Sequence, residues 1–257
     1  MITSKDNILI KQVMKLARES SYRNEQKLAV ISGKNLVVEA LKSDIIESVL
    51  VDESSIAKYT ELLQAIATDK IYHVSAKVME KLNLVDTPTD IVALIKIKEQ
   101  IFEESIYSAD CVILDNIADP GNLGTILRAA VSSGVKNVLL TKGCVDIYNP
   151  KVLRSSAGIQ FGLNIFSAVN VLDFIAKYKE VVVATTPYTN DSLYAINLCD
   201  KVAWVFGNEG AGISQVLLDK IDKKIKIPMV GAAESLNVAM AATVCLFEMV
   251  RQRVAAG

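Results

Sequence analysis

The chain has 257 residues, is 51% hydrophobic, and carries 28 basic and 29 acidic side chains. This length and hydrophobic content exclude disordered and fibrous proteins and suffice for one large domain or two modest ones. A net charge of −1 provides no general attraction for nucleic acid. One histidine, His73, and four widely separated cysteines leave almost no material for a zinc site or a Cys/His nucleophile pair, so we expect no metal and interpret the cysteines as small buried hydrophobes.

Residues 1–98 predict a small α/β domain. The N-terminus lacks the order of a signal peptide and no apolar run reaches about 20 uncharged residues, which predicts a cytoplasmic protein without a membrane span. Helical and strand-like patterns then alternate. The helical patterns are NILIKQVMKLA, NLVVEALK and IAKYTELLQAIA, and the strand-like runs are KLAVIS, IIESVLVD and KIYHVS.

The first 42 residues hold eight Lys and Arg against four Asp and Glu, a local net charge of +4. Such a segment on a neutral protein is either an RNA-facing surface or an ordinary solvated helix face. The pattern alone does not decide between these two interpretations.

The charged stretch KEQIFEES predicts a linker at residues 99–108, between a domain at 1–98 and a second domain at 109–257. Continuous apolar strands are typical of a mainly parallel sheet covered on both faces. We therefore predict an α/β fold whose second domain has such a sheet. Its strands are predicted at CVILDNI, NVLLT, EVVVATT, KVAWVFG and KIKIPM.

The stretch LDNIADPGNLGTILRAAVSSG, residues 114–134, joins a strand to a helix. Asp119 and Pro120 form a good cap and first helical position, so packing explains them. Asn122 and Arg128 have no such explanation, and six residues of separation place them on different helix faces. Arg128 is either a snorkelling surface side chain or a cation held at a site.

The stretch VAWVFGNEGAGIS places Gly207, Gly210 and Gly212 after a buried strand, with Glu209 among them. Glycines at this density indicate special backbone angles or close approach of a ligand to the main chain. The spacing is not that of a dinucleotide fingerprint, and no Gly-Lys-Ser/Thr follows, so neither familiar nucleotide-binding loop fits.

The third stretch, KIKIPMVGAAESLNVAMAATVCLFEMVRQR, runs from a strand through a loop into an apolar helix. We expect Ser235 to cap this helix, which leaves Asn237 unexplained. The helix is apolar nearly all the way round from Leu236 to Val250, which predicts a second partner surface, most simply a homodimer interface.

The three stretches, in this order, resemble the signature motifs of the SpoU (TrmH-type) family of RNA ribose 2′-O-methyltransferases. NIADPGNLGTILRAA resembles the first motif, GNEGAG the second, and IPMVGAAESLNVAMA the third. NPKVLRSSAGIQF resembles the segment between the first two. YRNEQKLAVISGKNLVVEALK resembles the substrate-binding domain of many members, with Ile31-Ser32-Gly33 where Val-Glu-Gly is usual.

The resemblance implies a deep trefoil-knotted α/β domain that works as a homodimer and binds S-adenosylmethionine in the knot. Gly207, Ile227 and Leu236 match positions that contact the cofactor through the main chain. The full set of cofactor-binding residues implied is Gly207, Asn208, Gly210, Gly212, Ile227, Met229, Ser235, Leu236 and Asn237.

The resemblance also implies catalytic roles. A guanidinium is a very poor base, so we expect Arg128 to stabilise the developing alkoxide or to pass the proton to a substrate phosphate. We expect Asn122 and Asn237 to hold the ribose and Arg128, and Glu209 to orient its loop and Arg128. The catalytic residues carried over are Asn122, Arg128, Glu209, Ser235 and Asn237.

Two other classes compete with this interpretation. A non-catalytic RNA-binding protein of the same fold is disfavoured because all five catalytic positions are intact. A nucleotide-dependent enzyme such as a dehydrogenase is disfavoured by the late position of the glycine loops. Within the favoured class, the family resemblance of the N-terminal domain implies 23S ribosomal RNA by analogy, with tRNA as the alternative substrate.

Overall fold

The computed structural model describes residues 1–82, 84, 89–221 and 223–257. The helices are α1 (Ile8–Arg18), α2 (Ser20–Gln26), α3 (Lys34–Lys42), α4 (Thr60–Gln64), α5 (Ala76–Lys81), α6 (Pro120–Ser132), α7 (Pro150–Ser155), α8 (Val171–Lys177), α9 (Gln215–Leu218) and α10 (Val238–Ala256). The strands are β1 (Leu28–Ser32), β2 (Ile46–Asp52), β3 (Ile71–Val74), β4 (Ile91–Lys96), β5 (Cys111–Asp115), β6 (Asn137–Leu140), β7 (Asn164–Phe166), β8 (Val181–Thr185), β9 (Val202–Gly207) and β10 (Lys223–Ile225).

The chain forms two compact units that do not follow one cut in the sequence. The first comprises Met1–Glu99 with Asp146–Phe161, and the second comprises Gln100–Val145 with Gly162–Gly257. The segment Asp146–Phe161, which the sequence analysis assigned to the second domain, therefore packs with the N-terminal residues. The structure describes no helix long and apolar enough to cross a bilayer.

The first unit is built on a four-stranded sheet in the order β1-β4-β2-β3. Strand β4 is antiparallel to both β1 and β2, and β3 is parallel to β2. Helix α1 buries Ile10, Val13 and Leu16 against one face, as its helical spacing predicts. Strand β4 was not predicted as a strand, although all its residues from Ile91 to Ile95 are buried.

A buried ion pair holds the segment Asp146–Phe161 in the first unit. Arg23 is only 3% exposed, and its Nε and Nη2 donate to Asp146 Oδ2 at 2.8 and 2.5 Å. Its Nη1 donates to the Leu16 carbonyl. Leu153 of α7 joins the core that lies beneath α3. Because the charge is fully paired and hydrogen-bonded, removing either partner would leave a buried charge uncompensated.

A close approach at Gly158 fixes the same segment to α3. Gly158 has a φ of +77°, and a Cβ there would lie 2.9 Å from Leu36 Cδ2 and 3.2 Å from Glu39 Cβ. Both the left-handed backbone and the contact with α3 therefore require glycine at this position.

The second unit contains a six-stranded, wholly parallel sheet in the order β10-β8-β9-β5-β6-β7. This confirms the predicted α/β fold with a mainly parallel sheet, and all five strands predicted here are present. Strand β7 was missed because three residues are too few to show a period. Helix α10 packs against α6 on one side of this sheet.

The predicted linker at residues 99–108 carries side chains that pack within the second unit. Ile106 is 4% exposed, and the Tyr107 ring stacks on Phe174 with the centroids 5.4 Å apart. Phe102 meets Phe166 edge-on at 4.9 Å. This stretch is therefore part of the second unit from Gln100 onwards.

The interpretation of all four cysteines as buried hydrophobes is wrong for Cys199. Cys111 and Cys245 are fully buried and Cys144 is half-buried, whereas Cys199 is exposed. The turn containing Cys199 puts its neighbour Leu198 into the core instead, at 1% exposure. The Cys199 N–H is held by Asn197 Oδ1 at 3.0 Å, which fixes this turn.

Candidate active site

The carboxyl ends of β5 and β9 bring the first two motifs together. The two strands are adjacent and parallel, and Asp115 lies opposite Gly207 in register. Asp115 Oδ2 accepts a 2.8 Å hydrogen bond from the Ser214 N–H, beyond the glycine loop. Ligands bind at this edge in open parallel sheets, because loops from neighbouring strands converge there.

The loop after β9 closes directly on the end of its own strand. Asn208 and Gly212 exchange backbone hydrogen bonds of 2.9 Å, and Asn208 Oδ1 accepts from the N–H groups of Gly210 and Ala211. A Cβ on Gly207 would lie 2.1 Å from the Ile213 nitrogen. Gly207 is thus required by a backbone contact inside the loop.

Helix α10 begins at Val238, two residues later than a cap at Ser235 would place its start. The cap is Asn237, whose Oδ1 accepts from the N–H groups of Ala239 and Met240 at 2.9 and 3.4 Å. The prediction that Ser235 caps this helix is wrong, because Ser235 and Leu236 still belong to the extended loop. The structure therefore gives Asn237 the local role that the sequence left unexplained.

A chain of side-chain hydrogen bonds links all three motifs. Asn237 Nδ2 donates to Asn122 Oδ1 at 2.9 Å, and Asn122 Nδ2 donates to Glu209 Oε1 at 3.0 Å. The Glu209 carboxylate also accepts from the N–H groups of Asp119 and Ala118 at 3.2 and 3.5 Å. The three polar side chains thus form one connected set at the start of α6.

These bonds keep the Glu209 carboxylate ionised. Partial burial by itself raises the pKa of Glu209, but the hydrogen bonds from Asn122 and the nearby backbone N–H groups outweigh it and hold the pKa below its usual value of 4.5. Asp119 caps α6 by accepting from the Asn122 N–H at 2.7 Å, as predicted. A carboxylate at the N-terminal end of a helix is also favoured by the helix dipole.

A cavity of about 440 Å³ opens beside this set. All nine residues proposed from the sequence as cofactor contacts line it. Its charged side chains are Glu209, Glu234 and Lys226. Lys226, Glu234 and the stretch Thr185–Tyr188 at the end of β8 also line the cavity and were not predicted from the sequence. The stretch after β8 could have been predicted to line the cavity if β8 had been placed next to β9, because adjacent parallel strands end at the same edge of a sheet.

The predicted catalytic residues do not all meet in one place. Asn122, Glu209 and Asn237 are hydrogen-bonded together, and Ser235 lines the cavity from an exposed loop. Arg128 is exposed and lies outside the cavity lining, and its side chain makes no hydrogen bond or ion pair with any residue that the structure describes. The expected contact of Glu209 with Arg128 is therefore replaced by the contact with Asn122.

Most cations of the first 42 residues are paired with carboxylates. The pairs are Lys11–Asp6, Lys15–Glu19, Arg23–Asp146, Lys27–Glu99 and Lys42–Glu39. Lys5, Arg18 and Lys34 form no ion pair within the described ranges. The local charge of +4 is thus partly neutralised, although exposed pairs such as Lys11–Asp6 are weak and can be exchanged for a phosphate.

Comparison with known proteins identifies the family. The model of the SpoU rRNA Methylase family matches residues 110–247, and that of the MRM3-like substrate binding domain matches residues 7–93. The 23S rRNA (guanosine(2553)-2′-O)-methyltransferase RlmP of Bacillus subtilis is 33% identical over 96% of this chain and 98% of its own length. The chain belongs to the SpoU rRNA methylase family.

Solved structures of similar proteins support the same family. A crystal structure of an RNA 2′-O ribose methyltransferase has a TM-score of 0.85, 34% identity, and coverage of 98% of this chain and 99% of the other. An AdoMet-bound rRNA methyltransferase from Sinorhizobium meliloti has a TM-score of 0.85 at 26% identity, with 97% of both chains covered. Membership of the SpoU family implies the trefoil knot expected from the motifs.

Proposed function

We propose that this SpoU protein transfers a methyl group from S-adenosylmethionine to a ribose 2′-hydroxyl of 23S ribosomal RNA in the cytoplasm. The observation that carries the proposal is the connected set Asn237–Asn122–Glu209, of which Asn237 and Glu209 line the cavity. The relative RlmP, which is similar over almost the whole chain, is a 23S rRNA 2′-O-methyltransferase by name.

The size and main chain of the cavity fit S-adenosylmethionine. A volume of about 440 Å³ lies within the range of about 300 to 1,000 Å³ typical of cofactor sites. Residues 227–236 form no backbone hydrogen bond with any described residue, and Ile227, Met229 and Leu236 of this loop line the cavity. Their N–H and C=O groups are therefore available to a polar ring such as adenine.

The charges of the cavity fit the same cofactor. Glu209 and Glu234 provide two negative charges and Lys226 one positive charge. S-adenosylmethionine carries a sulfonium, an ammonium and a carboxylate, so its net positive charge complements the net negative charge of the lining. When bound, it supplies a methyl group already activated by the adjacent positive sulfur.

The protein then has to position the ribose and accommodate the proton that leaves its hydroxyl. We propose that the Asn122 and Asn237 amides hold the ribose. In this proposal Glu209 is a positioning residue, because its carboxylate fixes the Asn122 amide and the backbone at Ala118 and Asp119. Ser235 would contact the substrate or the cofactor from the loop.

Arg128 is proposed as the cation that stabilises the developing alkoxide or passes the proton to a substrate phosphate. Its exposed guanidinium has no carboxylate partner among the described residues, so it is available to RNA. An arginine side chain keeps its proton at neutral pH, which excludes a role as a simple base.

The proposal includes a homodimer formed through α10. Met240, Phe247 and Val254 follow one another at intervals of seven residues and are 62%, 45% and 77% exposed. A seven-residue interval places them on one side of the helix, where they form an apolar stripe. Light scattering should give the mass of a dimer for the wild type and of a monomer for Phe247→Glu. A monomeric wild type would contradict this part of the proposal.

The decisive experiment measures methyl transfer from labelled S-adenosylmethionine to total ribosomal RNA and, separately, to total tRNA. Both RNA pools come from a strain that lacks this protein, and Arg128→Ala is assayed in parallel. We expect label in the ribosomal pool, in an alkali-resistant dinucleotide, and its loss in the variant. Label in tRNA alone would show that the substrate is tRNA and not ribosomal RNA. A protein that does not bind S-adenosylmethionine would overturn the enzyme proposal.

A further inference from the structure

A short loop after β8 forms one side of the cavity mouth. The Thr186 N–H donates to the Ile225 carbonyl at 2.9 Å, and the Leu193 N–H donates to the Lys226 carbonyl at 2.8 Å. The Lys226 N–H in turn donates to the Asp191 carbonyl at 2.8 Å. The loop is thus tied at both ends to the segment that leads into the cavity-lining residue Ile227.

Tyr188 projects from this loop into solvent. It is 93% exposed, and its N–H is turned back onto Thr186 Oγ1 at 3.3 Å. Among the described residues that line the cavity it is the single aromatic side chain. A rigid ring held on a tethered loop at a ligand site offers a flat surface to an incoming partner at small entropic cost, because only two side-chain torsions have to be fixed.

The reaction proposed above requires one nucleotide to be held with its ribose at the cavity, so its base must be accommodated close by. Proteins that recognise single-stranded or splayed RNA nucleotides commonly stack the base on an aromatic side chain. We propose that Tyr188 stacks on the base of the nucleotide whose ribose is methylated. This inference rests on the proposed function and adds the residue that positions the substrate base.

The surroundings of Tyr188 favour a base over a phosphate. The cavity lining offers one cation, Lys226, against the carboxylates of Glu209 and Glu234, so the mouth is not a phosphate-binding cluster. The high exposure of the ring also favours a partner that arrives from solvent over a ligand enclosed in the cavity.

The test uses the full-length protein, S-adenosylmethionine at saturation, and 23S ribosomal RNA transcribed in vitro. Single-turnover methylation is measured against RNA concentration for the wild type, Tyr188→Ala, Tyr188→Phe and Tyr194→Ala. Tyr194 is the matched control, because it is a 58% exposed tyrosine further along the same part of the chain but does not line the cavity.

We expect Tyr188→Ala to raise the half-saturating RNA concentration about tenfold or more, the range given by loss of one base–aromatic stack. Tyr188→Phe keeps the ring and should stay within about twofold of the wild type, as should Tyr194→Ala. Calorimetry should give the same affinity for S-adenosylmethionine in all four proteins, and light scattering the same mass.

Three results would overturn the inference. Tyr188→Ala could behave like the wild type, it could weaken cofactor binding and leave RNA saturation unchanged, or it could change the oligomeric state. A wild-type protein that methylates RNA in the same assay separates these results from failure of the proposed function. If the wild type transfers no methyl group to ribosomal RNA or to tRNA in the pool assay described under the proposed function, that function fails and this inference fails with it.

Discussion

Asn237 Nδ2 donates to Asn122 Oδ1 across 2.9 Å, although 115 residues separate the two asparagines in the chain. The direction of this bond is fixed by the helix cap. Asn237 Oδ1 accepts from the first N–H groups of α10, so its Nδ2 must face Asn122. Asn122 then presents its own Nδ2 to Glu209. The cap of one helix thereby sets the orientation of amides beside the cavity.

Two substitutions of Asn237 separate stability from activity. Asn237→Ala removes the acceptor for the α10 N–H groups and should lower the free energy of unfolding by about 1 kcal/mol. Asn237→Asp keeps an acceptor at the helix N-terminus and should preserve stability, but it has no N–H to donate to Asn122. Both variants should lose methyl transfer in single-turnover assays. An active Asn237→Asp protein would show that the Asn122 contact is not needed.

Arg128→Ala should change activity alone. The Arg128 side chain is exposed and makes no hydrogen bond or ion pair with the described residues, so urea unfolding should show a change within about 0.5 kcal/mol. Methyl transfer should fall by about a hundredfold or more, as when a group that stabilises developing charge is removed. A folded variant with normal activity would remove Arg128 from the mechanism.

Gly207 and Gly210 differ in what a methyl group would meet. A Cβ on Gly207 would lie 2.1 Å from the Ile213 backbone nitrogen, whereas on Gly210 the nearest atom would be Asn208 Oδ1 at 3.7 Å. Gly207→Ala should therefore lower the free energy of unfolding by about 1 to 3 kcal/mol. Gly210→Ala is the matched control and should leave stability unchanged. Equal thermal denaturation midpoints for the two variants would argue against the close contact.

Asp110 should make stability depend on pH in the acidic range. Burial raises the pKa of Asp110, but hydrogen bonds from Arg253, the Val202 N–H and Lys201 outweigh it and hold the pKa below 3.8. Because the folded pKa is lowered, the stabilisation is complete above about pH 3.8 and is lost as the pH falls through the lowered pKa.

The matched variant is Asp110→Asn. Urea unfolding from neutral to acidic pH should show its largest deficit relative to the wild type near neutral pH, with a smaller deficit in the most acidic samples. A deficit that does not vary with pH would mean that the charge of Asp110 is unimportant.

Cys199 should be the thiol that reacts first in the native protein. Burial raises the pKa of the Cys111 thiol to about 12 and also raises the pKa of Cys245. Cys199 alone among the four is exposed in the part of the chain that the structure describes. Titration with a thiol reagent at mildly alkaline pH should show one fast equivalent, and Cys199→Ser should abolish it.

The sequence predicted the strands of the second unit well because continuous apolar runs such as Val202–Gly207 need both faces covered. The resemblance of the second and third motifs also led to nine residues that the structure places in the lining of the cavity. The position of the α10 cap was predicted wrongly because Ser235 and Asn237 are both good capping residues, and only the course of the loop decides between them.

Other features could not be inferred from local patterns. The hydrogen bond from Asn237 to Asn122 joins residues 115 positions apart, so no local sequence pattern can predict it. The cavity wall at Thr185–Tyr188 becomes visible only when β8 is known to lie beside β9. The place of Asp146–Phe161 in the first unit rests on the buried Arg23 ion pair, which has no sequence signature.

That segment has a consequence for synthesis on the ribosome. Leu153 belongs to the core of the first unit, and Asp146 neutralises the buried Arg23. A nascent chain that ends at Glu99 therefore still lacks part of this core and the partner of an internal charge. The N-terminal unit can be completed only after residue 161 has left the exit tunnel, when β5, α6 and β6 of the other unit have already been made. The two units consequently mature together, and neither can be exchanged between proteins as one continuous segment.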